Sequence, residues 1–416
     1  MIRRGPVFYG WVIVAITALV LVSTAGVRAA PGALLVPMVQ EGAWSTSGLS
    51  LAAAIGLLVF GLSGPLSARL MARYSIRTVT LLSLLVTAGS LLASSFATDL
   101  AQLSLFFGLL AGLGSGLVAS VLGPTIANRW FLRNRGLVVG IFGASTSAGQ
   151  LIFFPFLTTF AILAGWRVAV VALAAIALVL VIPVLIWLRN DPADLGVRPL
   201  GAENQPVAPA TRPDPHVMRR AVRSVDFWFL ASTFLVCGAT SNGLVGQHFI
   251  NHAVDHGFTA VYASGALAVM GVFNFIGTLG SGWLTDRYDP RRLLLAYYGF
   301  RGVSLLFLPF VHDSLGIFAF AILFGLDYIA TVPPTVMLVA DVFGRRNVGV
   351  VYGWVFAAHQ LGAAMAAWVA GIVRERVGDY TPAFFAAGMI AIVAGVAALA
   401  INRPRPGAPE AAAVAA

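Results

Sequence analysis

Apolar residues fall along this chain in long blocks, and the polar residues gather in the short gaps between them. A helix needs about 20 consecutive, mostly apolar residues to cross the hydrocarbon core of a bilayer. Twelve stretches approach or exceed that length: 8–38, 48–70, 77–97, 100–128, 137–161, 167–188, 227–251, 260–284, 293–311, 315–340, 349–373 and 380–401. The pattern predicts an all-α membrane protein of twelve transmembrane helices. Most connections are a few residues long. Residues 189–226 differ, being rich in Pro, Arg and Asp and lacking a long apolar run. They predict a solvated cytoplasmic linker between two six-helix bundles, 1–188 and 227–401. The Pro/Ala-rich tail, 402–416, is expected to be disordered.

Composition sharpens this picture. Of 416 residues, 59% are apolar and 10% are charged, against about 25% charged in ordinary globular domains. Soluble and disordered classes are both excluded. The formal net charge is +10, and every basic residue is arginine. These arginines sit in short clusters between apolar runs, which argues against nucleic-acid binding. Alternate connections and the two termini together hold 21 of them, whereas the opposite set holds only Arg167, Arg374 and Arg376. The arginine-rich side is therefore expected to be cytoplasmic, with both termini inside and the chain in an inner or plasma membrane. Arg3 and Arg4 ahead of the first block, and Arg28-Ala29-Ala30 behind it, resemble a secretory signal. The apolar run resumes through Val39, too long for a signal core. A lone cysteine, Cys237, excludes an intrachain disulfide.

The two halves also repeat each other. After the second span stands Ala68-x-x-x-Ala72-Arg73-Tyr74-x-x-Arg77, and 214 residues later, after the eighth, Gly282-x-x-x-Asp286-Arg287-Tyr288-x-x-Arg291. Gly136 and Gly140, opening the fifth span, match Gly349 and Gly353, opening the eleventh. Six spans per unit make this a parallel repeat, an arrangement that places a site between the halves near the midplane. In the second copy Asp286 is suited to accept hydrogen bonds at a neighbouring helix N-terminus, where the dipole favours an anion. Gly282, Arg287 and Arg291 complete that loop motif. The first copy has Ala72 in place of the acid, predicting a weaker latch.

Twelve spans in two parallel halves, with these loop motifs, resemble the major facilitator superfamily. Within it the chain is similar to the prokaryotic monocarboxylate-transporter-like group. Tyr9-Gly10-Trp11, Trp130-Phe131-x-Arg133-x-Arg135-Gly136-Leu137-x-x-Gly140 and Asp191-Pro192-Ala193-Asp194-Leu195-Gly196-Val197-Arg198-Pro199 bear the likeness. The resemblance implies secondary active transport by rocking of the two halves, with spans one, four, seven and ten lining a cavity. It also implies an arginine in span eight as carboxylate anchor. Here that place is Thr278, and the acidic place one turn earlier is Asn274.

The remaining chemistry lies inside the spans. No Gly-x-x-x-x-Gly-Lys-Ser/Thr loop exists, so ATP-driven transport is not expected. Gly112-x-Gly114-x-Gly116 reads as close helix packing. No nucleophile–base set and no Cys/His metal cluster stand out, so neither enzyme activity, cofactor nor metal is expected. An arginine at a bilayer centre costs about 2.5–3.5 kcal/mol to insert. Arg28, late in span one, either faces the cavity and forks onto a carboxylate or snorkels to the outer surface. Pro31 and Gly32 just beyond it predict a local break in that helix. Arg301 in span nine and Asp327 in span ten are expected to pair, either as a structural ion pair or as a proton acceptor with its partner. His248, beside Asn242 and Gln247 in span seven, either lines the cavity as a proton carrier or sits at the headgroups. His252 and His256 read as interfacial. His359 in span eleven suits substrate contact and helix-to-helix bonding equally.

The functional expectation is proton-coupled uptake or exchange of a small organic anion such as a monocarboxylate. Arg28 would attract the anion, with His248 or Asp327 taking the proton. An exporter of amphipathic compounds using Asp327 is the first alternative. Gly143–Gly149 of span five lacks the Gly-Pro pair that resemblance would lead one to seek in such an antiporter. A non-transporting sensor or scaffold is the second. Expected partners are the solute, protons and the lipid bilayer.

Overall fold

A computed structural model describes residues 8–41, 44, 46–202 and 214–402. Arg3, Arg4, the linker stretch 203–213 and the tail 403–416 lie outside the described residues. Among the described residues, twelve helices are long and apolar enough to cross a membrane: Gly10–Leu34, Leu51–Arg73, Ile76–Ser95, Leu100–Trp130, Arg135–Ala164, Trp166–Trp187, Val225–Asp255, Tyr262–Thr285, Pro290–Phe310, Ser314–Phe343, Arg345–Val377 and Thr381–Ala398. They are called spans one to twelve. Among the described residues there is no sheet, only an isolated bridge between Phe131 and Leu200. The all-α, twelve-span architecture expected from the hydrophobic pattern is present.

Local sequence sets where several spans begin. A helix start leaves backbone N–H groups without partners, and a short polar side chain supplies one. Ser75 accepts from the Thr78 amide, Asp99 from Gln102, Thr259 from Tyr262, Asp289 from Arg291 and Asp313 from Gly316. Pro290 and Pro382 occupy first-turn positions where no N–H is needed. Within the spans, hydroxyls turn back to their own helices, as Thr80 does to Ile76 and Thr240 to Val236. That removes a polar group from hydrocarbon without a partner helix.

The chain divides into two compact units, residues 1–133 with 145–212, and residues 134–144 with 213–416. In the first unit, spans two and four approach until a Cβ on Gly112 would lie 2.5 Å from the Gly56 carbonyl oxygen. Small residues permit this contact, which replaces the hydrophobic drive that lipid cannot supply. The glycine run in span four thus packs helices.

Three spans are irregular. Span four carries a π-helical segment at Ser104–Leu110 and span seven another at Ala239–Val245. Span ten stops at Asp327, turns through 328–331, and resumes at Val332. Span one, by contrast, does not break at Pro31. Its helix runs unbroken over Gly10–Gln40 with Pro31 and Pro37 inside. In an apolar medium, opening a turn exposes several backbone groups, whereas proline removes one hydrogen bond. The described start of the linker makes defined contacts. Asp191 and Pro192 are buried. Asp191 and Asp194 cap the turn Pro192–Leu195 reciprocally, and Leu200 bonds to Trp130 and Leu132 at the end of span four. The acids satisfy backbone donors locally, while Asp194, Gly196, Arg198 and Gly201 stay exposed.

Candidate functional site

Among the described residues, the most buried charges lie in the second unit. Arg301 is 0% exposed and Asp327 2%. Arg301 projects from span nine, and its Nε donates to Asp327 Oδ2 at 2.6 Å. One terminal nitrogen reaches the Asp327 and Tyr328 carbonyl oxygens at 2.7 and 3.2 Å. The other reaches Cys237 Sγ at 3.1 Å, Thr240 Oγ1 at 3.2 Å and the Cys237 carbonyl oxygen at 3.4 Å. A guanidinium has five N–H donors, and here every nitrogen is engaged. The interruption of span ten explains the demand: at its helix end the Asp327 carbonyl, which also takes the Ala330 amide at 3.1 Å, and the Tyr328 carbonyl both accept from Arg301. The pair joins spans seven, nine and ten. Asp327 Oδ1, however, is buried and without a hydrogen-bond partner.

Arg28 has other surroundings. It is half-buried in the first unit, and its guanidinium carbon stands 4.9 Å from the centre of the Phe60 ring of span two. Such cation–π contact stabilises the charge from the face of the guanidinium. His248 is half-buried in the second unit. Its Nε2 lies 2.9 Å from the Ala367 carbonyl oxygen and its Nδ1 3.2 Å from the Tyr380 hydroxyl. The carbonyl can only accept, so Nε2 holds the proton and Nδ1 accepts from Tyr380. Asn242, half-buried, lies on the π-helical segment of span seven, and Gln247 is exposed. His359 is buried between Phe234 and Phe356, at 4.7 and 5.6 Å between ring centres, and bonds to Gln360.

Span eight gives its polar pair a packing role. Thr278 is fully buried; its hydroxyl lies 2.7 Å from the Asn274 carbonyl oxygen and 3.1 Å from Asn274 Oδ1. Its methyl packs on Gly143 at the start of span five. A small residue there allows the approach that an arginine would prevent.

The loop motif lies at the end of span eight. Asp286 accepts from the Gly136 and Leu137 amides, both at 2.8 Å, on the first turn of span five. Gly282 makes room, because a Cβ there would lie 2.5 Å from the Gly136 carbonyl oxygen. Burial raises the Asp286 carboxyl above the ordinary carboxylate range; the two amides, Arg135 and Arg287 oppose this but do not cancel it. Arg135 pairs with Asp341 at 3.6 Å. Arg287 lies 3.9 Å over Trp283, and Arg291 binds Asp289 and the Ile401 carbonyl.

One cluster escaped the sequence reading. His252 and His256 stand with Asp379, and one ligand atom from each lies within 4.8 Å of the others. The His-x-x-x-His spacing, one helical turn, was the available signal.

Two six-span repeats with charged groups held inside the bundles define a duplicated polytopic membrane protein. A profile of the Major Facilitator Superfamily matches residues 16–367 and 253–416. Monocarboxylate transporter 11 of Mus musculus is 28% identical over 390 residues, covering 90% of this chain and 83% of its own. The uncharacterised MFS-type transporter YcxA of Bacillus subtilis is 26% identical over 314 residues, 74% of each chain. The solved structure of a double-tryptophan XylE mutant matches with a TM-score of 0.78 at 14% identity, covering 98% of this chain and 99% of its own. The chain belongs to the Major Facilitator Superfamily. It is a multi-pass membrane transporter, not an enzyme.

Proposed function

We propose that this transporter carries a small organic anion, a monocarboxylate in the first instance, together with a proton. The halves 1–188 and 227–401 rock about the linker 189–226, in an inner or plasma membrane with both termini cytoplasmic. The observation that carries the reading is Arg28. It is a permanent charge within an apolar span, held over a ring face, and such a charge marks a solute path by default. Its fork matches a carboxylate in two parallel hydrogen bonds. Relatives named as monocarboxylate transporters support that substrate class. With Thr278 and Asn274 engaged in packing, the anion relies on Arg28.

An anion crossing with a proton is a neutral load. His248 is suited to take the proton: Nδ1 gains it, and the Tyr380 hydroxyl turns from donor to acceptor without leaving its place. Arg301 and Asp327 serve as the structural clip of the second unit, because Arg301 also supports the broken end of span ten. The test is uptake of labelled pyruvate into proteoliposomes under an inward proton gradient. Arg28→Ala should abolish uptake, Arg28→Lys should restore part of it, and His248→Gln should lose stimulation by the gradient. Wild-type uptake by Arg28→Ala would remove the anion anchor and the reading with it.

A further inference from the structure

The cluster at the far end of span seven has no part in that transport cycle. We infer that His252, His256 and Asp379 form a binding site for a borderline divalent transition metal, Zn2+ in the first instance. Span eight runs from this end to the Asp286 loop, so within the second unit the two features lie at opposite ends. His252 and His256 are one turn apart, with ring centres 4.1 Å from each other. Asp379 reaches them from the connection between spans eleven and twelve.

Hydrogen bonding prepares each ligand. His252 is 2% exposed, and its Nδ1 is buried without a hydrogen-bond partner. With the ring's other nitrogen towards the Leu308 backbone, Nδ1 is the nitrogen left to offer a lone pair. A buried acceptor with no donor is costly, about 1–3 kcal/mol, and a cation removes that cost. His256 places its Nδ1 2.9 Å from the His252 carbonyl oxygen. A carbonyl only accepts, so Nδ1 bears the hydrogen and Nε2 is the lone-pair donor. An imidazole that donates one N–H to a backbone carbonyl and offers its other nitrogen has the form of a metal ligand with its supporting contact. Asp379 accepts from the Tyr380 amide at 2.6 Å. It is an anionic ligand. Asp255, next to the cluster in sequence, is already paired with Arg374 through two bonds of 2.7 Å.

Two nitrogens and one carboxylate oxygen match the preferences of zinc and its neighbours rather than magnesium or calcium. With bonds of about 2.1 Å, ligand atoms around zinc stand roughly 3–4 Å apart. Closure from 4.8 Å therefore needs about an ångström of side-chain rotation. His256 and Asp379 are only half-buried and can supply it. The ion would staple the end of span seven to the connection ahead of span twelve.

Chelator-treated, full-length protein in detergent should bind one equivalent of Zn2+ by calorimetry and melt at a higher temperature with it, while Mg2+ does neither. Co2+ should give the visible absorption of a tetrahedral nitrogen/oxygen site. His256→Gln and Asp379→Asn should each weaken Zn2+ at least about 10-fold. His216→Ala, changing an exposed histidine of the linker, should not. Absence of both stoichiometric zinc and the cobalt spectrum in the wild-type protein would overturn the site. So would unchanged affinity in normally melting His256→Gln and Asp379→Asn proteins.

Discussion

The same helix crossing is built twice in this molecule, with opposite chemistry. In the first unit, spans three and four meet where Thr87 packs on Gly114; a Cβ on that glycine would lie 2.5 Å from the Thr87 hydroxyl. Moving 213 or 214 residues along, the corresponding positions are Arg301 and Asp327, joined at 2.6 Å. One crossing is closed by the absence of a side chain. The other is closed by a charge pair that also supports an interrupted helix. A duplicated backbone therefore does not need the pair in order to form. What the pair serves is the break in span ten, which falls immediately after Asp327, whereas span four remains helical beyond Gly114 to Ala119 and turns only at 120–121. A third intramembrane charge, Arg28, shows the contrast from another side: it rests on a ring, in a helix that runs unbroken.

The largest effect should come from breaking the pair on one side only. Asp327→Ala leaves a buried guanidinium without its counter-charge, and loss of about 3–5 kcal/mol is expected, read as a lowered melting temperature in detergent. Installing the first-unit pair in the second, Arg301→Thr with Asp327→Gly, removes both charges and should lose less than Asp327→Ala alone. A double variant worse than the single one would mean that support of the span-ten carbonyls, not the charge balance, dominates. Arg28→Ala should move in the opposite sense on the two readouts, with pyruvate uptake lost and the melting temperature changed little. That outcome would separate a solute-facing arginine from a structural one.

The loop motifs offer a smaller comparison. Asp286→Ala frees two amides at the start of span five and should cost about 0.5–2 kcal/mol, the range of a lost helix cap. Ala72 already stands at the equivalent place in the first unit, so Ala72→Gly should change stability by much less. The smallest signal is in pH. Folding raises the Asp286 carboxyl, so the folded chain retains that proton to higher pH than the unfolded one. Its contribution to stability falls as pH rises through the window just above the ordinary carboxylate value, and levels off beyond. Melting curves of Asp286→Asn should lack that slope.

Particular residues show how far the sequence could be read. The spans were legible because hydrocarbon admits few backbone solutions, so a block of apolar residues has little choice but to be a helix. Asp286 was legible because its purpose is local chemistry, an acid suited to a helix start. The pairing of Arg301 with Asp327 followed from the impossibility of leaving either alone. What Arg301 does with its other four N–H groups was not legible, because the carbonyls it supports exist only where span ten stops. Pro31 pointed to a break that did not occur, while the break after Asp327 has its prolines, Pro333 and Pro334, beyond it.

By itself, then, the order of apolar and charged residues determined the class, the number of crossings, the repeat and the residues too costly to be idle. Only the packed structure decided their occupations: Thr278 in a helix contact, His248 bonded between Ala367 and Tyr380, His252 left with a bare nitrogen beside Asp379. The reason is physical. Insertion energies belong to each residue singly and can be read along a line, but hydrogen bonds belong to pairs, and the pairs that matter here join residues 26 to 150 positions apart.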